Sequence, residues 1–173
     1  MRSIYTYPKI YVEEKNIGEA CDLIFELPNN IFCITTSKNV VRGIKNYKRV
    51  FVKKIYETAY EEVISLEQSR TVKSFITYCP KHGAYYLVEE NTEVGLMEIE
   101  GLKIFLHVVE GDKIDEGDKI GYQITRKFEV RNIVSIVRGI IVYIGTIFGE
   151  VQRYIIVAVG EENVRKINVS PCK

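Results

Sequence analysis

Short apolar runs, some alternating and some nearly continuous, recur along most of the chain with turn residues between them. In the first half, residues 9–13 and 22–27 read as strands. Pro28-Asn29-Asn30 reads as a turn into a partner strand at 31–35. Val40-Val41 is expected to add another short strand. After Val50 the period changes. Val52, Ile55, Ala59, Val63 and Leu66 fall three or four apart, with Lys53, Lys54, Glu57, Glu61 and Glu62 on other faces. That spacing predicts an amphipathic helix starting near Ile55, although Val50-Phe51-Val52 leaves open a strand feeding a shorter helix. Residues 71–78 alternate as a strand, Pro80 and Gly83 break 79–83 into a loop, and 84–89 form the returning strand.

The polar stretch Asn91-Thr92-Glu93 divides the pattern, so the expected units are 1–92, an α+β domain with one helix, and 93–173, a β-barrel domain. In the second unit strands are expected at 95–100, 103–109, 121–125, 128–135, 139–144 and 153–159. Many short strands at such spacing predict a sandwich or small barrel, and a mainly β chain overall. Residues 110–121 read E-G-D-K-I-D-E-G-D-K-I-G, one block repeated six residues later. Glycine accepts positive φ and aspartate bonds nearby backbone, so two tight turns are expected there.

Composition changes this picture little. The 173 residues are 46% hydrophobic and 27% charged with a net charge of +1, ordinary for a soluble globular protein. So small a net charge gives no reason to expect nucleic acid or an anionic membrane surface as partner. No apolar run approaches the roughly 20 residues that span a bilayer. Met1 to Pro8 has no signal-peptide core, and the expected location is cytoplasmic. There Cys21, Cys33, Cys79 and Cys172, which contain no C-x-x-C pair, are expected as four free thiols.

Gly111-Asp112-x-Ile114-x-x-Gly117-Asp118-x-Ile120 resembles the G-D-x-V-x-x-G-D-x-L element of biotinyl- and lipoyl-attachment domains. Ile133-Val134-Ser135 followed by Gly139-Ile140-Ile141 resembles that family's V-x-S/A-x-x-x-G-x-V element. The likeness covers about residues 94–169 and implies a barrel-sandwich hybrid, a flattened barrel of two small sheets. An α+β domain joined to such a barrel also resembles an uncharacterised archaeal protein family. In biotinyl and lipoyl domains a lysine at the tip of an exposed hairpin carries biotin or lipoate, and Lys127 is the corresponding candidate here. It stands one residue farther from Gly139 than the modified lysine usually does, which sets Phe128 in that place. Arg126 and Phe128 flank it, rather than the methionines of biotin carriers or the Asp and Ala of lipoyl domains. A barrel without a prosthetic group is therefore expected, acting as a non-catalytic binding or assembly module. The alternative is a biotin or lipoate carrier modified at Lys127.

Arg126, Lys127, Arg131 and Arg138 make a local basic patch around this hairpin, with acidic turns elsewhere in the barrel. Such a division of charge steers a charged protein partner, so Arg126, Lys127, Phe128 and Arg131 are the candidate partner-binding residues. Exposed tyrosines on a β-edge leave a homodimer open. Cys79-x-x-His82 has the spacing of two zinc ligands, the basis of a second alternative, a zinc-binding protein. The acids at 110, 112, 115, 116 and 118 lack EF-hand spacing. No P-loop, dinucleotide fingerprint or HExxH helix indicates an enzyme.

Overall fold

The computed structural model describes residues 7–147 and 149–173. In chain order its elements are β1 (Lys9–Glu14), β2 (Leu23–Leu27), β3 (Ile31–Thr35), α1 (Lys38–Gly43), β4 (Arg49–Lys54), α2 (Tyr60–Val63), β5 (Ile64–Ser65), β6 (Arg70–Thr71), β7 (Phe75–Cys79) and β8 (Ala84–Val88). There follow β9 (Gly95–Gly101), β10 (Lys103–Leu106), β11 (Lys113–Ile114), β12 (Lys119–Ile124), β13 (Val130–Val134), β14 (Gly139–Ile147), β15 (Gln152–Val159), β16 (Arg165–Ile167) and β17 (Val169–Pro171). The chain is mainly β, and its two helices are short.

Six strands of the first half, with β16 and β17 from the end of the chain, form an eight-stranded sheet in the order β16-β8-β7-β1-β4-β2-β3-β17. Its two edges are consecutive in sequence, separated only by Asn168, so the sheet curls into a nearly closed barrel. Alternation along the strands decides which side chains fill it. Tyr11 points inward with Ile24, Phe51, Ile76, Leu87 and Ile167. Ile10 and Val12 point to the other face with Phe75 and Val88. Each such large buried side chain contributes about 1.5–3 kcal/mol by leaving water.

The remaining strands make a two-stranded pair, β5-β6, a three-stranded sheet, β10-β12-β13, and a four-stranded sheet, β11-β14-β15-β9. Met97, Ile99, Ile104, Ile114, Ile120, Ile133, Ile141 and Ile156 meet in a core of their own. β14 and β15 are nearly continuous apolar runs because both of their faces are covered. Ile141 and Ile156 face that second core, whereas Val142, Tyr143, Ile155 and Val157 pack with Ile10, Val12, Phe75 and Val88 of the first sheet.

Several expectations need correction. Residues 38–43 are helical instead of extended at Val40-Val41, because Ser37 caps the turn through its Oγ, which accepts from Val40 N–H. The expected amphipathic helix reduces to a 3-10 turn at Tyr56–Thr58 and the single turn of α2, since β4 takes Val50-Phe51-Val52 and β5 begins at Ile64. Ala59 and Val63 are buried, but Ile55 and Leu66 are exposed, so no helical stripe continues. The last strands, expected within the second unit, complete the first sheet: β16 pairs with β8, and β17 runs parallel to β3. That pairing brings Cys33 and Cys172 to a Cα separation of 4.8 Å and joins them in a disulfide, leaving only Cys21 and Cys79 as free thiols. No helix among the described residues is long and apolar enough to cross a membrane.

Candidate functional site

The two Gly-Asp blocks fold alike. Gly111 and Gly117 have φ of +90° and +89°, the left-handed region in which a side chain is strained. In each block the aspartate carboxylate accepts from the backbone three residues earlier: Asp112 from Val109 N–H at 3.0 Å, Asp118 from Asp115 N–H at 2.8 Å. Each glycine N–H then donates to the neighbouring strand segment, Gly111 to the Ile141 carbonyl at 2.7 Å and Gly117 to that of Ser135 at 2.8 Å. The returning bonds run from Ile141 to Asp112 and from Ser135 to Asp118. The repeat is therefore a pair of clamps fixing the start of β14 and the end of β13.

With that end of β13 fixed, the opposite end carries the β12–β13 hairpin. Ile124 pairs with Val130, Thr125 N–H donates to the Glu129 carbonyl at 2.9 Å, and Phe128 N–H donates to the Thr125 carbonyl at 2.8 Å. Arg126 and Lys127 occupy the two central positions of the turn, and Phe128 follows with φ of +61°. A bulky aromatic residue in that region is unusual and costs strain. Nothing covers it: Phe128 is 80% exposed. Arg126 reaches Glu100 on β9 at 3.3 Å, and Arg131 reaches Glu129 at 3.0 Å. Lys127 makes no ion pair among the described residues. Arg138, assigned from sequence to the same patch, instead lies 3.6 Å from Asp115 in the second Gly-Asp turn.

Cys79 and His82 sit where the second sheet system meets the first. His82 Nε2 lies 2.7 Å from Asp112 Oδ1, and Lys81 donates to the same carboxylate at 3.0 Å. Burial works against the Asp112 carboxylate, but Val109 N–H, His82 and Lys81 outweigh it and hold its pKa below the ordinary value. Cys79 is fully buried. Desolvation, aided by Glu110 and Asp112, pushes its thiol up to about 12, far from the thiolate a nucleophilic reaction needs. Among the described residues no three His, Cys, Asp or Glu side chains are placed to hold one metal ion.

Sequence reasoning missed the neighbouring buried network. Tyr56 OH donates to Glu110 Oε1 at 2.8 Å and accepts from Ile144 N–H at 3.3 Å, while Tyr143 OH donates to the Tyr56 carbonyl. Burial raises the Glu110 pKa, and the hydrogen bond from Tyr56 only partly offsets it. This network ties the 3-10 turn after β4 to β14. It is a structural joint between the two halves of the fold.

A family model described as an uncharacterized protein conserved in archaea (DUF2118) matches residues 5–161. The chain belongs to that family. The matched span runs from β1 through β15 and so includes both Gly-Asp clamps and the hairpin of this DUF2118 member. No curated protein matches the chain.

Proposed function

We propose that this protein is a non-catalytic binding or assembly module, built on an unmodified barrel of the biotinyl/lipoyl type, that engages a protein partner through the β12–β13 hairpin. The observation that carries the reading is Phe128: a large apolar side chain, 80% exposed, in left-handed backbone in the turn of the β12–β13 hairpin. Strain at an uncovered residue adds nothing to the isolated fold and fits a contact made elsewhere. Arg126, Lys127 and Arg131 surround it with positive charge suited to an acidic counterpart. Aromatic and arginine anchors within a polar rim are the usual make-up of a binding hot spot. The barrel type is supported by the three- and four-stranded sheets and by the clamps that bond the two family-like elements to each other. Replacing Arg126, Lys127 and Arg131 with alanine is expected to abolish recovery of a partner that co-purifies with the wild type. Unchanged recovery refutes the reading.

One observation favours a second reading, a biotin or lipoate carrier: Lys127 stands at the apex of the turn, free of ion pairs among the described residues. The intact mass of protein isolated from its own cells distinguishes the two. A biotinyl or lipoyl increment mapped to Lys127 makes it a carrier, and an unmodified mass removes that reading.

A further inference from the structure

We propose that the outer edge of β13 accepts an extended acidic polypeptide as an added strand. This rests on the hairpin's being a docking tip and names the class of partner it takes.

Among the described residues β13 ends its sheet, with β12 as its sole neighbour. The Thr125–Glu129 hydrogen bond sets the phase of the ladder. Bonded pairs then fall at Gln123–Arg131 and Gly121–Ile133, so the N–H and C=O groups of Val130 and Asn132 point away from β12. Folded proteins usually blunt such an edge by closure, shortness, charge or proline. The first sheet closes on itself, and β11 has only two residues. β13 shows the opposite: Val130 is 69% exposed, Val134 45% and, just beyond, Ile136 68%, continuing from Phe128. Five residues at about 3.3 Å each offer roughly 17 Å of open ladder.

The chemistry of the occupant follows from charge and pleat. Lys119, Arg126, Lys127 and Arg131 lie on β12, the hairpin and β13, with Glu129 the one carboxylate among these elements. Arg131 shares a face with the inward Ile133, whereas Val130, Asn132 and Val134 share the other. A strand laid along this edge is therefore favoured with Asp or Glu beside Arg131 and apolar residues beside Val130 and Val134. A second copy of β13 is disfavoured, because it brings the same cations against each other. A nucleic acid strand cannot satisfy the alternating N–H and C=O groups.

The test is a library of decapeptides alternating Asp or Glu with Val, Ile or Leu, bound to the whole protein. The bound peptide is expected to slow amide exchange at Val130 and Asn132 at least tenfold by NMR. Asn132→Pro removes an outward N–H and leaves the β12 ladder intact, so it is expected to weaken binding tenfold or more. If that variant melts early, exchange protection in the wild type decides alone. The proposal is overturned if no library member binds, if Val130 and Asn132 exchange unchanged in the complex, or if a folded Asn132→Pro binds normally. It is equally overturned if an oligo-dT strand, and no peptide, protects the hairpin. Binding lost in the Arg126, Lys127, Arg131 triple-alanine variant without protection of β13 keeps the docking tip and removes strand addition. Protection of β13 that survives the triple variant does the reverse.

Discussion

Opening the Cys33–Cys172 bond tests how the first barrel is held shut. The two cysteines are 139 residues apart, and the bond fastens β17 to β3, the final pairing of the curled sheet. In the chain-entropy account, a loop of that length stabilises the fold by about 5 kcal/mol through restriction of the unfolded chain. For a protein of this size each kcal/mol moves the melting temperature by about 2–4 °C, so loss of the bond is expected to lower it by about 10–20 °C. The closing strand then retains its short parallel pairing, the Cys172 N–H bond to the Ile34 carbonyl at 2.9 Å and the packing of half-buried Val169 on the core. Amide exchange at Val169, Ser170 and Cys172 is therefore expected to quicken before the rest of the sheet. The assay is a pair of thermal melts, oxidised and reduced, with alkylation and intact mass establishing the state of each cysteine. Cys33→Ser is expected to reproduce the reduced melt, and Cys21→Ser to leave the oxidised melt unchanged. Equal melting temperatures for protein shown to be oxidised and reduced refute the view that this bond secures the closure.

Three further outcomes follow from other residues. Phe128→Gly relieves left-handed strain and is expected to stabilise the isolated protein by about 1 kcal/mol while weakening partner binding, checked by melting and by pull-down. Gly111→Ala is expected to cost about 1–3 kcal/mol. Its Cβ, at φ +90°, falls 2.5 Å from His82 Cδ2, whereas Gly117→Ala has the strain without the clash and is expected to cost less. Glu110→Gln keeps an acceptor for Tyr56 and removes a charge that burial penalises. Because the folded-state pKa of Glu110 is raised, wild-type stability falls as pH rises above the ordinary value of 4.5. The variant is thus expected to melt higher at pH 7 and to match wild type below pH 4.5, and a variant that melts lower at pH 7 contradicts this.

Most strands of this fold were legible because the chain states them locally. β2, β3 and the turn at Pro28-Asn29-Asn30 follow from alternation and turn residues, as do β12, β13 and the Gly-Asp clamps. What escaped depends on tertiary placement. Arg165 to Pro171 has little apolar content and gains strand structure only by pairing with β8 and β3. Ala59 and Val63 sit at helical spacing, yet β4 of the first sheet ends at Lys54 and β5, which pairs with β6, begins at Ile64, leaving room for one turn. Glu110 and Glu116 hold the same place in the repeat, but the former is 8% exposed beneath Tyr56 and the latter lies on the surface. A repeat in sequence cannot show which copy is covered. The hairpin was found through Lys127 and its neighbours, whereas the strained conformation of Phe128 and the open edge of β13 required the backbone.

The docking role of the hairpin is tested most directly by placing a photo-crosslinking residue at position 128 in the protein's own cells, with exposed Lys45 in the loop before β4 as the control position. The account predicts a discrete cross-linked protein from position 128, none from position 45, and loss of the product when Arg126, Lys127 and Arg131 are alanine. No product at position 128, or one that persists in the alanine variant, contradicts it.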